Sequence, residues 1–309
     1  MTNIGIQMLD SARRARGILP PESLQRITGF VLGRVNKDGG FLNRSNRSDL
    51  YYSIFGMQCL AVVLQTNSGI ARLVRTLRHV LLFRRIGGYV STQASRVDAL
   101  DFVHLSCLAR CLAAVRGGHV AGDVAITIAR RAEEYRTGDG GYHVAKNAGH
   151  GTAYACFLAL LIYEALGVEI PHKEGILKCI RRLVARDGGY ANEPCLPVGT
   201  TTTTSAVCLI LSALGESVDS GIADWLRARC VNGGFLATPD SPIPDLLSTA
   251  TALHALAIIK QPMKERRDSC VDFVESLWHE NGGFFGTQID SIPDCEYTFY
   301  ALLALGNLV

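Results

Sequence analysis

Gly282-Gly283-Phe284 ends the stretch whose reading decides the fold, residues 264–284. In the run before it, Cys270, Phe273, Val274 and Leu277 fall at i, i+3, i+4 and i+7, while Asp268, Asp272, Glu275 and His279 take the other side. That spacing predicts an amphipathic helix with one wet face. The doublet recurs as Gly39-Gly40-Phe41, Gly87-Gly88-Tyr89, Gly140-Gly141-Tyr142, Gly188-Gly189-Tyr190 and Gly233-Gly234-Phe235, always with an aromatic behind it. First glycines are separated by 48, 53, 48, 45 and 49 residues. A near-constant period of about 50 residues marks a repeat architecture.

The other half of the unit follows each doublet. Residues 250–259 read Ala-Thr-Ala-Leu-His-Ala-Leu-Ala-Ile-Ile, apolar nearly all round, as in a helix buried on every side. The unit is therefore outer helix, Gly-Gly turn, inner helix, with a glycine ending the outer helix in the left-handed region. Pro20-Pro21-Glu22-Ser23 starts the first outer helix, since proline suits a first helical turn. The expected pairs are 20–36 with 48–64, 70–84 with 98–115, 121–136 with 150–166, 172–185 with 200–214, 219–229 with 245–259, and 263–279 with 293–308. Residues 1–19 read as a loosely specified N-terminal extension. An open solenoid needs polar caps at its ends, yet the last helix, Ala301-Leu302-Leu303-Ala304-Leu305, is as apolar as any. Closure into a ring removes the problem. The prediction is all-α: one α/α toroid (an α6/α6 barrel) over 1–309, with twelve principal helices, almost no strand, and the six turns together at one end.

Hydrophobic residues make up 48% and charged residues 19% of the 309, which suits one large core. A net charge of +3 is too mild to indicate nucleic acid. No apolar run reaches the roughly 18 residues that span a bilayer. Arg13, Arg14 and Arg16 stand near the N-terminus without an apolar h-region, so no secretory signal is read there. The ten cysteines include no Cys-x-x-Cys pair. Cys59, Cys107, Cys111, Cys156 and Cys208 fall in inner-helix segments and read as small buried hydrophobes. A reducing, cytoplasmic setting is the expectation.

With these residues in place, the chain resembles the prenyltransferase and squalene-cyclase repeat family, and most of all the β subunits of protein prenyltransferases of the type II geranylgeranyl kind. The resemblance rests on the six doublets, on Thr249-Ala250-Thr251-Ala252-Leu253-His254-Ala255-Leu256, on Asp49-Leu50-Tyr51-Tyr52-Ser53 with Gln58, on Asn147-Ala148-Gly149, and on Ile243-Pro244-Asp245 and Ile292-Pro293-Asp294. It covers roughly residues 22–309. It implies a toroid with a central funnel for an isoprenoid diphosphate or another long apolar ligand, and a helical partner subunit. In the family a zinc held by an Asp, a Cys two residues later and a His activates a thiolate, and a basic rim takes the diphosphate.

This chain departs from that pattern. The Pro-Asp-x-Cys signature falls on Pro244-Asp245-Leu246-Leu247, with leucine in place of cysteine, and the family's histidine falls on Tyr297. Counted from the N-terminus, the ligand positions fall on Val198, Thr200 and Ser248. Neither register supplies the three protein ligands of a catalytic zinc, so no metal or other cofactor is assigned. The diphosphate histidine falls on Asn147, with His150 three residues on. The cyclase Asp-x-Asp-Asp acid and the complement thioester motif are both missing.

Asp245, Asp294 and Tyr297 remain the candidate catalytic residues. The plainer reading is that Asp49, Asp98, Asp245 and Asp294 cap inner helices, that Asp101 meets an arginine such as Arg96, and that His254 is a hydrogen-bonded core residue. Candidate ligand-binding residues are Tyr51, Tyr52, Phe55, Phe102, Tyr154 and Tyr300, on or at the mouths of inner helices, with His150 and Arg182. Aromatics there either line a cavity for an apolar ligand or fill the hole of the ring. Lys178, Arg181, Arg182 and Arg186 are either a diphosphate patch or a solvated outer face. The threonines of 200–204 are either a polar lining or are bonded back to their own helix. Three functions stay open: a prenyltransferase-like transferase, a non-catalytic isoprenoid or lipid carrier (or a cyclase-like protein without the usual acid), and a protein-interaction scaffold.

Overall fold

Each inner helix packs on the next, and the last packs back on the first. The computed structural model describes residues 3–64 and 71–309; the expected start of the second outer helix at Ile70 lies outside them. An N-terminal helix α1 (Ile4–Arg14) precedes six pairs: α2 (Pro21–Gly33) and α3 (Leu50–Val63), α4 (Ala71–Ala94) and α5 (Phe102–Arg116), α6 (Asp123–Glu133) and α7 (Ala153–Leu166), α8 (Lys173–Arg181) and α9 (Thr201–Ala213), α10 (Gly221–Arg227) and α11 (Leu246–Ile258), α12 (Arg267–Glu275) and α13 (Cys295–Gly306). The even-numbered helices form the outer layer, and α3, α5, α7, α9, α11 and α13 the inner one. Outer helices bury one stripe, as α8 does with Ile176, Leu177, Cys179 and Ile180. Inner helices bury nearly every side, α11 among them. Strand among the described residues is confined to two short hairpin pairings, Phe41–Leu42 with Ser48–Asp49 and Cys230–Val231 with Gly234–Phe235.

The turns dock each repeat onto the next. Gly282 has φ +97°, and a Cβ there would collide with the Arg26 carbonyl of α2, so the sixth turn seats on the first outer helix and shuts the ring. Gly39 stands in the same way against Arg85 of α4. The aromatic after each of these turns is buried, and its N–H donates to a side chain one turn inside the inner helix. Phe41 donates to Ser53 Oγ (3.0 Å), Tyr142 to Cys156 Sγ (3.4 Å), Tyr190 to Thr204 Oγ1 (2.9 Å), Phe235 to Thr249 Oγ1 (2.8 Å) and Phe284 to Thr298 Oγ1 (3.3 Å).

The second doublet departs from the expectation. Gly87 and Gly88 lie inside α4, which runs on to Ala94, and neither has a positive φ. The reason is the residue before them. Asp38, Asp139, Asp187 and Asn281 each accept the N–H two residues on, from Gly40, Gly141, Gly189 and Gly283, which is an Asx-turn. Ile86 has no such acceptor and is fully buried instead. The inner helix that follows starts only at Phe102, after a 3-10 turn at Val97–Ala99.

The N-terminal stretch is also more ordered than expected. Asn3 caps α1, and Glu164 of α7 accepts from Ile4 N (2.6 Å) and Gly5 N (3.1 Å). At the other end Arg14 Nε donates to Gly306 O (2.9 Å), and Arg16 to Val62 O and Val63 O (3.0 Å each). Those carbonyls are the negative ends of α13 and α3. Helix α1 therefore lies across the end of the ring where the inner helices finish.

Candidate functional site

The inner helices begin at the Gly-Gly end, each with a polar cap. Asp49, Asp101, Asp245 and Asp294 accept from Tyr51 N, His104 N, Ser248 N and Tyr297 N, and Thr152 and Thr200 from Ala155 N and Thr203 N. The expected roles of Asp98 and Asp101 are thus exchanged: Asp101 caps α5, and exposed Asp98 pairs with Arg130 at 3.2 Å.

Inside the ring lies a cavity of about 460 Å3 whose wall comes from α3, α7, α9, α11, α13 and Met8 of α1. Tyr51, Tyr154, Phe157, Leu209, Leu247, Tyr300 and Leu303 form its apolar and aromatic part, and Asn192, Thr202, Thr203, Ser205 and Thr251 its uncharged polar part. Its two ionisable side chains besides the tyrosines are Glu296 and His254; none of the described lining residues is a lysine or an arginine. A hollow of about 550 Å3 elsewhere is formed by Arg227 and residues 260–266, essentially one charged loop.

Glu296 Oε1 accepts from the Tyr51 hydroxyl at 2.6 Å. Burial pushes its carboxyl up to about 7, helped by Asp294 and opposed by Tyr51 and Arg44. His254 goes the other way: burial pushes it down to about 4. Asn307 Nδ2 donates to Leu303 O at 2.7 Å, so its Oδ1 faces His254 Nδ1 at 3.4 Å. This bonding assigns the ring proton to Nδ1 and leaves Nε2 an acceptor, buried without a partner among the described residues. Tyrosines and cysteines aside, the only other ionisable residues within the inner helices, apart from Arg116 in a last turn and His104 in a first, are Arg110 and Glu164. Arg110 Nη2 reaches Gln58 Oε1 at 3.4 Å, and its charge is felt by the Tyr154 and Tyr300 phenols.

At the rim, Arg44 from the first repeat clasps the sixth. It meets Asp290 through two bonds (3.1 and 2.7 Å) and Asp294 through Nε (2.7 Å), with its guanidinium 5.3 Å from the Tyr297 ring. Burial raises Asp290, but the Arg44 bond and backbone N–H groups hold it below the usual range. Asp294 has no exposed surface, and burial keeps its carboxyl raised despite Tyr297 N and Arg44. Burial raises Asp245 too, against its bonds from Ser248 N and Oγ (2.7 Å each).

The expected ligand-binding residues divide. Tyr51, Tyr154 and Tyr300 meet on the cavity wall. Tyr52 stands edge-on to Tyr51 at 5.7 Å, and Phe55 packs behind, on Phe299 and Tyr300. Phe102 is no cavity residue: it is buried against Tyr135 and Tyr142 of the third repeat. His150 bonds Glu193 beside His143 in the loops of repeats three and four. Arg182, at the end of α8, is exposed on the outer layer. The threonine run does both jobs: Thr200 caps and Thr204 holds Tyr190, while Thr202 and Thr203 line the cavity.

The family's zinc does not fit these residues. Asp245 already accepts two bonds from Ser248, Leu247 is a cavity wall, and Tyr297 replaces a histidine. Among the described residues no group of three or more His, Cys, Asp or Glu is arranged to hold a metal.

Two concentric helix layers closed around an aromatic cavity define an α/α toroid. The chain belongs to the prenyltransferase alpha-alpha toroid domain family, whose model matches residues 21–105, 69–232 and 202–308. Among solved structures it resembles the apo type II terpene cyclase MstE from Scytonema, with a TM-score of 0.59 at 13% identity over 93% of this chain and 96% of that one. A single-residue variant of that cyclase, in complex with its substrate geranylgeranyl dihydroxybenzoate, matches at a TM-score of 0.58 and 13% identity, over 96% and 97%. Candida albicans protein geranylgeranyltransferase-I complexed with GGPP matches at 0.55 and 15%, and the chain spans 65% of its length, with 65% of this chain covered. No curated protein matches the sequence. At these identities the likeness is one of fold.

Proposed function

We propose that the ring is a receptacle for a long isoprenoid-type ligand whose polar end is not a diphosphate. The observation that carries this is the wall: aromatic and aliphatic groups, neutral hydroxyls and one carboxyl, with no lysine or arginine among its described residues. A buried charge without a partner costs several kcal/mol, so a diphosphate beside Glu296 is disfavoured, whereas an apolar chain with a neutral end is not. The size, about 460 Å3, is that of a small-molecule pocket. One structural neighbour holds a geranylgeranyl chain attached to a dihydroxybenzoate and another holds GGPP, which supports the isoprenoid class. Ten unpaired cysteines support a reducing compartment. Transfer from a diphosphate is the weaker reading, because Arg44 is engaged by two aspartates and Arg182 is on the outer face.

The test is equilibrium binding of geranylgeraniol and geranylgeranyl diphosphate to the purified protein. The expected result is saturable binding of the alcohol, lost when Thr251→Trp fills the cavity, and binding of the diphosphate at least tenfold weaker. Tighter binding of the diphosphate would overturn the proposal.

A further inference from the structure

Resting on that cavity, we propose that Glu296, framed by the phenols of Tyr51, Tyr154 and Tyr300, selects a ligand whose polar end is a protonated amine. Glu296 is the only carboxyl among the described wall residues. Its Oε1 is taken by the Tyr51 hydroxyl, and among the described residues its Oε2 has no hydrogen-bond partner, so one oxygen is left to receive a donor. An ammonium brings three donors and a charge of opposite sign. Tyr51, Tyr154 and Tyr300 line the same cavity, and aromatic rings attract a desolvated cation that meets their faces.

Nothing else on the described wall competes. His254 is neutral near pH 7 because burial holds it down at about 4, so it repels no cation. The charges that bear on Glu296 from the rim are Asp294 and Arg44, and Arg44 is neutralised by Asp290 and Asp294. Arg110, on the α5 side, bears on Tyr154 and Tyr300 rather than on Glu296. With no cation beside it, Glu296 keeps its proton up to about pH 7 because burial disfavours its charged form. An incoming ammonium favours the carboxylate, and the proton leaves. Binding of an amine is thereby coupled to proton release, and binding of an alcohol is not. The phenols of Tyr51, Tyr154 and Tyr300 titrate far above this range, so between pH 5 and 7.5 Glu296 is the wall group that changes charge.

The experiment compares geranylgeranylamine with geranylgeraniol, which differ only at the polar end, by titration calorimetry at pH 7.5 and pH 5 in buffers of different ionisation heat. The expected result is an amine at least tenfold tighter than the alcohol at pH 7.5, a preference that shrinks at pH 5, and proton release on amine binding that is small at pH 7.5 and larger at pH 5. Glu296→Gln should abolish the preference for the amine over the alcohol. Equal binding of the two by the native protein overturns the inference and leaves the cavity reading standing. Binding of neither overturns the cavity reading itself. An amine preference that survives Glu296→Gln also overturns the inference, because its source would then be elsewhere. The pH series on the native protein decides the matter even if the variant does not fold.

Discussion

Replacing Arg44 by alanine isolates the clasp between the first and sixth repeats. Asp294 has no exposed surface, and its Oδ2 rests on Arg44 Nε at 2.7 Å, while Oδ1 accepts Tyr297 N at 2.9 Å. Removing one partner of a buried pair costs about 3–5 kcal/mol. The Arg44 side chain is 35% exposed, so the lower end applies, about 3 kcal/mol after solvent screening. With an unfolding entropy of about 2.1 cal/mol/K per residue, that lowers Tm by roughly 5 °C. Asp294→Asn should cost about 1 kcal/mol or less, since Asn caps nearly as well and the Arg44–Asp290 pair remains. The double variant should lie close to Asp294→Asn alone, giving a coupling of about 2–3 kcal/mol. The sign of the pH dependence follows from Asp294's raised carboxyl: its ionised form destabilises the folded state, so the Arg44→Ala penalty should shrink as pH falls through the folded value. Urea unfolding of the four proteins at pH 7.5 and pH 5 measures all of this. A cost below about 1 kcal/mol for Arg44→Ala, or a double variant as unstable as the sum of the singles, would refute the reasoning.

Two glycine changes should move stability in opposite directions: Gly282→Ala collides with the Arg26 carbonyl at a positive φ and should cost more than about 2 kcal/mol, while Gly88→Ala, mid-helix with nothing within 4 Å, should gain about 0.5–1 kcal/mol; thermal melts compare them. Thr298→Val removes the hydroxyl facing Phe284 N and should cost about 1–3 kcal/mol, read by the same melts. His104 lies 2.9 Å from Asp101 and 3.7 Å from Asp49, whose hydrogen bonding and charge lift it to about 9. Its contribution should be complete below about pH 6.5 and vanish as pH rises through about 9, so the Tm difference between native protein and His104→Asn should close between those values.

The fold was legible because five of the six doublets carry their own turn chemistry. The glycine supplies the positive φ, and an Asp or Asn stands before it. The exception, at Gly87, shows what the doublet alone lacks. Counting glycines predicts a turn there, and reading Ile86 would have predicted none. The hydroxyl or thiol at Ser53, Cys156, Thr204, Thr249 and Thr298 is a second periodic signal, hidden because three residue types serve one hydrogen bond. Helix α1 escaped notice because its partners, Glu164 and the carbonyls of α3 and α13, are supplied by the tertiary fold. Tyr51, Tyr154 and Tyr300, singled out by their place on inner helices, stand on the cavity wall. Phe102 was misplaced because an aromatic at the start of an inner helix faces the axis or the outer layer according to a rotation the period does not fix. Glu296 could have been found, as a carboxylate in an otherwise apolar helix. Arg44 could not, since its partners lie 246 and 250 residues away.

Photolabelling with a geranylgeraniol that carries a diazirine on its chain tests most directly that the ring interior is the binding site. Label is expected on peptides from the inner helices α7, α9, α11 and α13, at residues such as Phe157, Leu209, Thr251 and Leu303, and it should be lost in Thr251→Trp. Label confined to the outer helices or to the loop at 260–266, unchanged in that variant, would contradict a binding site inside the ring.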